Sequence, residues 1–132
     1  MKKIGRFEKI FFPNLNEPVI RAKVDTGAFN AALHVDSISV SNSLLSVTIG
    51  ENTYHFSNWT EIKVKSSNGT SQNRFAAKMK IRIGSQKYSI FVSFTDRKSM
   101  KFRFLIGRRF LMSNNFIVDV NKKCLHGRPK TI

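Results

Sequence analysis

The stretch Arg74–Gly84, "RFAAKMKIRIG", decides the fold class. Phe75, Ala77, Met79, Ile81 and Ile83 fall on one side of an extended chain, while Arg74, Lys78, Lys80 and Arg82 fall on the other. This period of two belongs to a β-strand with one face in a core and the other in water. The same reading extends outward to "IGRFEKIFF" (4–12), "PVIRAKVD" (18–25), "SLLSVTIG" (43–50), "TYHFSNW" (53–59), "EIKVKSS" (61–67), "YSIFVSF" (88–94), "FRFLI" (102–106) and "FIVDV" (116–120). Turn-rich pieces such as "NLNEP", "GEN" and "NGTSQN" separate them. The persuasive helical signal is a single short one, "GRRFLM" from Gly107. Many short strands without crossover helices predict an all-β barrel or sandwich.

A chain of 132 residues suits one domain, 1–132, large enough for a real core. It ends in a basic tail, "NKKCLHGRPKTI" (121–132), expected to fray. Cys124 is alone, which excludes an internal disulfide and favours a reducing compartment. Arg6, Glu8 and Lys9 interrupt any apolar signal core near the N-terminus, and no run reaches the roughly 18 apolar residues of a membrane helix. The expectation is a cytoplasmic protein with no membrane partner. Lys and Arg number 23 against 8 acidic residues, a net charge of +15 that predicts an acidic partner: a peptide or protein, nucleic acid, or the ribosome.

The chemistry-bearing stretch is Ala22–His34, "AKVDTGAFNAALH". Asp25 ends an alternating strand, Thr26 adds a hydroxyl, and Gly27 lets the backbone turn or come close to another chain. Asp-Thr-Gly arises by chance in roughly 2–3% of chains this long, so alone it is weak. A second block, "FRFLIGRRFL" (102–111), supplies an apolar strand running into Gly107 and a short helix.

In that order the two blocks resemble the retropepsin-like aspartic peptidases, in which an apolar strand leads to Asp-Thr-Gly-Ala, then a flap hairpin, then apolar-apolar-Gly-Arg opening a helix. The chain is most similar to a bacterial group that carries the label "ATP-dependent zinc protease" and is associated with an ATP-grasp ligase adding glutamates to a ribosomal protein. "IGRFEKIFFPNL", "RAKVDTGA", "ALH", "VKSSNGTSQNRF", "FTDRKSMKFRFLIGRRFL" and "FIVDV" carry the resemblance in sequence order. It departs at Phe29, Asn30 and Ala31, where Arg-Thr-Ser is more typical.

The resemblance implies a retropepsin-like β-barrel holding one half-site, with Asp25 catalytic and Thr26, Gly27, Ala28, Gly107 and Arg108 supporting it. Peptide hydrolysis of this type needs two carboxylates sharing a proton, so it implies a homodimer with Asp25 of each chain at a two-fold axis. Ser67, Asn68 and Gly69, around an Asn-Gly turn signal, become the candidate flap. Lys23, two residues before Asp25, is expected on the same strand face, where its charge opposes a shared proton unless its long stem carries it to solvent. Asp96 is a possible partner for a neighbouring arginine such as Arg97, and Arg109 reads as a solvated charge.

No cofactor is expected. His34, His55 and His126 lack zinc-ligand spacing; His34 followed by Asp36 has the makings of a ligand pair, but a hydrogen-bonded structural histidine is the preferred reading. No G-x-x-x-x-G-K-[ST] phosphate loop is present. The alternative is a non-catalytic basic module on the same fold that binds RNA, the ribosome or an acidic protein through its strand faces.

Overall fold

A computed structural model of the chain describes residues 2–16, 18–65 and 68–131. Its strands are β1 (Lys2–Gly5), β2 (Phe7–Phe11), β3 (Val19–Val24), β4 (Ala31–His34), β5 (Ser37–Ser41), β6 (Leu44–Ile49), β7 (Asn52–Phe56), β8 (Thr60–Lys65), β9 (Ser71–Ile83), β10 (Gln86–Thr95), β11 (Phe104–Ile106) and β12 (Phe116–Asp119). Among the described residues one helix occurs, the short α1 (Arg108–Ser113) that follows Gly107. None of these residues forms a helix long and apolar enough to cross a membrane.

The alternation that defines β9 is realised. Ala77, Met79, Ile81 and Ile83 are buried, while Lys78 and Lys80 are exposed. Arg82 departs from the pattern. It is half-buried, its guanidinium 5.6 Å from the Phe11 ring and its Nη1 donating to the Lys130 carbonyl at 3.1 Å. The exposed basic face is therefore Lys78 and Lys80, and the double substitution Lys78→Gln/Lys80→Gln is expected to keep unfolding free energy within about 0.5 kcal/mol of wild type. Urea unfolding checks this; a clearly larger loss would show that the lysine stems cover core atoms.

One sheet runs β10-β4-β11-β3-β2-β9-β8, and β9 also pairs with β10 from Ile83–Gln86 to Ala76–Ser93. The strands from β10 through β9 thus close on themselves as a barrel. Beyond Ala76 the N-terminal half of β9 leaves it to pair with β8 as a projecting hairpin. Inside lie Ile10, Ala22, Val24, Leu33, Ile81, Val92, Phe94, Phe104 and Ile106, none more than 8% exposed. Each large side chain buried this way contributes about 1.5–3 kcal/mol. Phe12 and Phe104 meet edge to face at 4.9 Å. A second sheet, β5-β6-β7, packs on this core through Leu45, Val47 and Phe56, the last 5.2 Å from the Phe94 ring.

Two strands lie outside the sequence reading. β4, "AALH", is buried along its whole length because β10 and β11 flank it, and its alanines carry little strand preference of their own. β5, "SISVS", alternates with serine and, among the described residues, pairs with β6 alone.

The topology places the site. β11 lies between β3 and β4, parallel to the first (Ile106 beside Val24) and antiparallel to the second (Leu105 beside Ala32). Residues 25–30 join β3 to β4, so they must cross the C-terminal end of β11. That crossing sets Asp25 opposite Gly107.

The tail after Val120, expected to fray, is tied down. Arg6 N donates to the Lys122 carbonyl at 2.8 Å, Cys124 N to Phe7 O at 2.9 Å and Lys130 N to Gly84 O at 2.8 Å. Glu8, fully buried, accepts from the Gly5 and Leu125 amides on Oε2 (2.8 and 3.1 Å) and from the His126 amide on Oε1 (3.1 Å). β1 and β12 pair in parallel within the same chain.

Candidate active site

Asp25 leaves β3 with its amide donating to Ile106 O at 2.9 Å, so its backbone still belongs to the sheet. Its side chain folds back: Oδ1 accepts the Gly27 amide at 3.0 Å, an Asx turn that fixes the carboxylate. The Ala28 amide closes the turn onto Asp25 O at 3.2 Å. A Cβ on Gly27 would stand 3.2 Å from that same Oδ1, so the residue at 27 bears directly on the carboxylate. Asp25 and Ala28 are half-buried, whereas Thr26 and Gly27 are exposed.

The opposite wall is the start of α1. A Cβ on Gly107 would lie 2.6 Å from Phe29 O and 2.7 Å from the carbonyl carbon and oxygen of Asn30, all backbone atoms. Only glycine allows this approach. The two segments are then stitched together, Arg108 N donating to Ala28 O at 2.8 Å and Arg109 N to Phe29 O at 3.0 Å. Arg108 Nη1 reaches the carbonyls of Thr26 (3.4 Å) and Gly27 (3.2 Å) from a largely exposed side chain. Arg109 is more than a solvated charge: it lies 4.7 Å from the Phe91 ring and donates to Asn30 Oδ1 at 3.4 Å. The departing residues 29–31 therefore serve the structure, Phe29 under Arg108 at 5.4 Å and Ala31 in the core.

Lys23 is exposed, on the strand face opposite Ala22 and Val24. Burial lowers the pKa of the Arg97 guanidinium, the Arg74 charge pushes the same way, and the Asp25 carboxylate opposes them. Arg97 sits in the loop between β10 and β11, its amide donating to Nδ1 of the buried His34 at 2.9 Å and its Nε to Phe102 O at 3.2 Å. Because His34 Nδ1 accepts, the ring proton is on Nε2, which donates to Asp36 at 2.9 Å. The Gly50 amide and then His34 hold the Asp36 carboxyl below its ordinary value. Among the described residues Asp96 pairs with no arginine; it accepts from the Lys98 amide at 2.9 Å.

Asn68 and Gly69 sit at the tip of the β8–β9 hairpin, where Lys65 faces Ser71 and Gly69 adopts a φ of 88°. Ser67, the remaining candidate flap residue, lies outside the described residues. The zinc in the group's label does not fit the histidines. His34 commits both nitrogens, His55 bonds Ser46 at 2.7 Å, and His126 bonds the Lys3 carbonyl at 2.7 Å, in three separate places. Among the described residues no three His, Cys, Asp or Glu side chains converge. A cavity of about 510 Å³ lies behind His34, lined by Ile20, Arg21, Tyr54, Lys101 and Arg103, and does not include Asp25.

A small closed barrel with one strand threaded between two others, and an Asp-Thr-Gly turn clasped by a Gly-Arg helix start, defines a retropepsin-like fold carrying one half-site per chain. The chain belongs to the RimB-like family, described as retropepsin-like aspartic endopeptidase RimB, which matches residues 3–129. Relatives from Shewanella pealeana (30% identical, 92% of this chain) and Desulfotalea psychrophila (29% identical, 96% of this chain) are named probable alpha-L-glutamate ligases. This chain spans only 29% and 30% of their lengths. A crystal structure from Legionella pneumophila, Lpg0085, of unknown function, superposes with a TM-score of 0.75 at 26% identity, covering 95% of this chain and 98% of that one.

The alternation places Arg74 among the surface cations of β9, yet it is half-buried where the hairpin leaves the barrel.

Proposed function

We propose that this chain is an aspartic endopeptidase acting as a homodimer in the cytoplasm on acidic, glutamate-rich peptides. The observation that carries the reading is the presentation of Asp25: a half-buried carboxylate fixed by the Gly27 amide at 3.0 Å, on a turn whose Thr26 and Gly27 are exposed. Phe29 beside it is 46% exposed, an apolar side chain for a second copy to cover. Two such turns meeting at a two-fold axis bring two carboxylates together, and their repulsion favours one shared proton. The ionised Asp25 takes a proton from water as the oxygen attacks the peptide carbonyl; the protonated one donates to the carbonyl oxygen. The resulting diol collapses as a proton passes to the leaving nitrogen. The net charge of +15 and the glutamate in the relatives' names support an acidic substrate.

Sedimentation at micromolar concentration is expected to give twice the 15.1 kDa protomer mass. Incubation with glutamate-rich and mixed peptides from acid to neutral pH is expected to give cleavage of the former. A strict monomer at every concentration removes the dyad. Retention of acidic peptides without cleavage at any pH replaces the peptidase with the basic binding module.

A further inference from the structure

Four adjacent strands, β3, β2, β9 and β10, contain one acidic residue, Glu8, and it is fully buried. Side chains of residues paired across strands share a face. The register therefore sets Lys9 beside Arg21, Phe11 beside Arg82, Arg82 beside Lys87, Lys80 beside Ser89 and Lys78 beside Phe91, all on the outer wall of the barrel. Lys9 and Arg21 stand directly opposite each other, a like-charge pairing that costs stability unless an anion lies between them. Lys9, Arg21, Lys78, Lys80 and Lys87 are exposed, and among the described residues none of the five has a carboxylate within ion-pair distance. Lys80, Arg82 and Lys87 also line one cleft of about 480 Å³ with Pro13, Asn14 and Ser89, and among the described residues no acidic side chain lines it. Each aromatic ring of the wall has a guanidinium over it: Phe7 has Arg21 at 4.6 Å, Phe11 has Arg82 at 5.6 Å and Phe91 has Arg109 at 4.7 Å. None is a bare platform for an unpaired base.

Rows of cations without carboxylates or open rings read charge and shape rather than sequence. For an acidic peptide held by this wall alone, ordering costs about 1–2 kcal/mol per residue, while an exposed ion pair returns at most about 1 kcal/mol. A nucleic-acid duplex is ordered beforehand, and lysines that neutralise its phosphates release condensed counterions. Regular strand from Lys78 to Arg82 and from Lys87 to Phe91 gives the wall no helix or loop to enter a B-form major groove. The wide, shallow minor groove of A-form RNA accepts a convex wall, with Ser89 and Asn14 among the cations to meet 2′-hydroxyls. We propose that the outer wall of β3, β2, β9 and β10 docks double-stranded RNA through its phosphate backbone, centred on Lys78, Lys80 and Lys87. This surface is separate from the Asp25 turn and stands whether or not the chain is a peptidase.

Fluorescence anisotropy tests it with a labelled RNA duplex of about 20 base pairs, longer than the roughly 16 that a small RNA-binding domain covers. Lys78→Gln/Lys80→Gln/Lys87→Gln is expected to weaken binding about 100-fold at about 0.1 M salt and to make the slope of log affinity against log salt shallower by about 2–3. Lys63→Gln/Lys65→Gln/Lys98→Gln removes the same charge from exposed positions outside the wall. It is expected to change affinity less than about threefold, since screening limits the reach of those charges to about 10 Å. A DNA duplex of the same sequence is expected to bind at least about tenfold more weakly. Polyglutamate binding is expected to change less than about threefold on loss of the wall lysines. Asp25→Asn is expected to bind RNA as wild type does, so loss of catalysis leaves this surface untouched. If the triple wall variant melts early, Lys80→Gln alone carries the test, with an expected slope change of about 1. No RNA binding by wild type, equal loss in the two triple variants, or an unchanged salt slope overturns the wall. Equal DNA binding overturns the choice of RNA. Polyglutamate affinity that falls with the wall lysines while RNA affinity does not assigns the face to an acidic protein instead.

Discussion

Asp25→Asn is expected to lower hydrolysis of glutamate-rich peptides by roughly 10⁴-fold or more, since in a dimer one substitution removes both the base that activates water and the acid that protonates the carbonyl oxygen. Stability should hold. The Asn carbonyl oxygen can still accept the Gly27 amide that Asp25 Oδ1 accepts at 3.0 Å, so the turn keeps its shape. Two facing carboxylates are also relieved of their repulsion, so the dimer is expected to be as tight or tighter. Parallel cleavage and melting curves distinguish loss of chemistry from loss of fold. Equal cleavage by the two proteins would place the catalytic groups elsewhere, and a lowered melting point with proportionate activity would make Asp25 a structural residue.

Gly107→Ala is expected to cost about 3 kcal/mol and to reduce activity with it, though Gly107 has no side chain to contribute to chemistry. Its φ of −89° suits any residue, so the effect is purely steric. The added methyl would enter at 2.6–2.7 Å from backbone atoms of Phe29 and Asn30, which cannot swing aside as a flexible side chain can. Either β11 and α1 move away or the Asp25 turn does, and both break the bonds from Arg108 N and Arg109 N. Urea unfolding should show a lower midpoint with an unchanged slope. A variant within about 0.5 kcal/mol of wild type would mean that the turn yields easily and is not pre-organised by β11.

Much of this architecture is legible in the chain because alternation reports burial directly. In β9 the residues from Phe75 to Ile83 announce their faces, and "VDTGA" followed much later by "LIGR" names the two segments that meet. What resists reading is set by neighbours distant in sequence. Ala31–His34 becomes a strand because β10 and β11 lie on either side of it. Arg82 looks like another surface cation until Lys130 and Phe11 close over it. Arg74 is an ordinary residue in a chain with 23 basic side chains, and its half-burial comes from the way β9 leaves the barrel. Glu8 appears as a charge interrupting an apolar run, and two of the three amides it accepts come from the other end of the chain.

That last contact joins residues 117 and 118 positions apart in the sequence through a single buried carboxylate. Chain ends are ordinarily where a domain starts to open, each fraying on its own. Here β2 and residues 124–126 hold each other. Peeling residues 124–126 away would leave Glu8 in the interior with the Gly5 amide as its remaining donor, and lifting β2 would remove the acceptor for all three amides. Residues 124–126 and the barrel strand that carries Glu8 consequently open as one cooperative unit. Local unfolding is thereby steered away from the termini, toward segments held by fewer buried contacts such as the projecting β8–β9 hairpin.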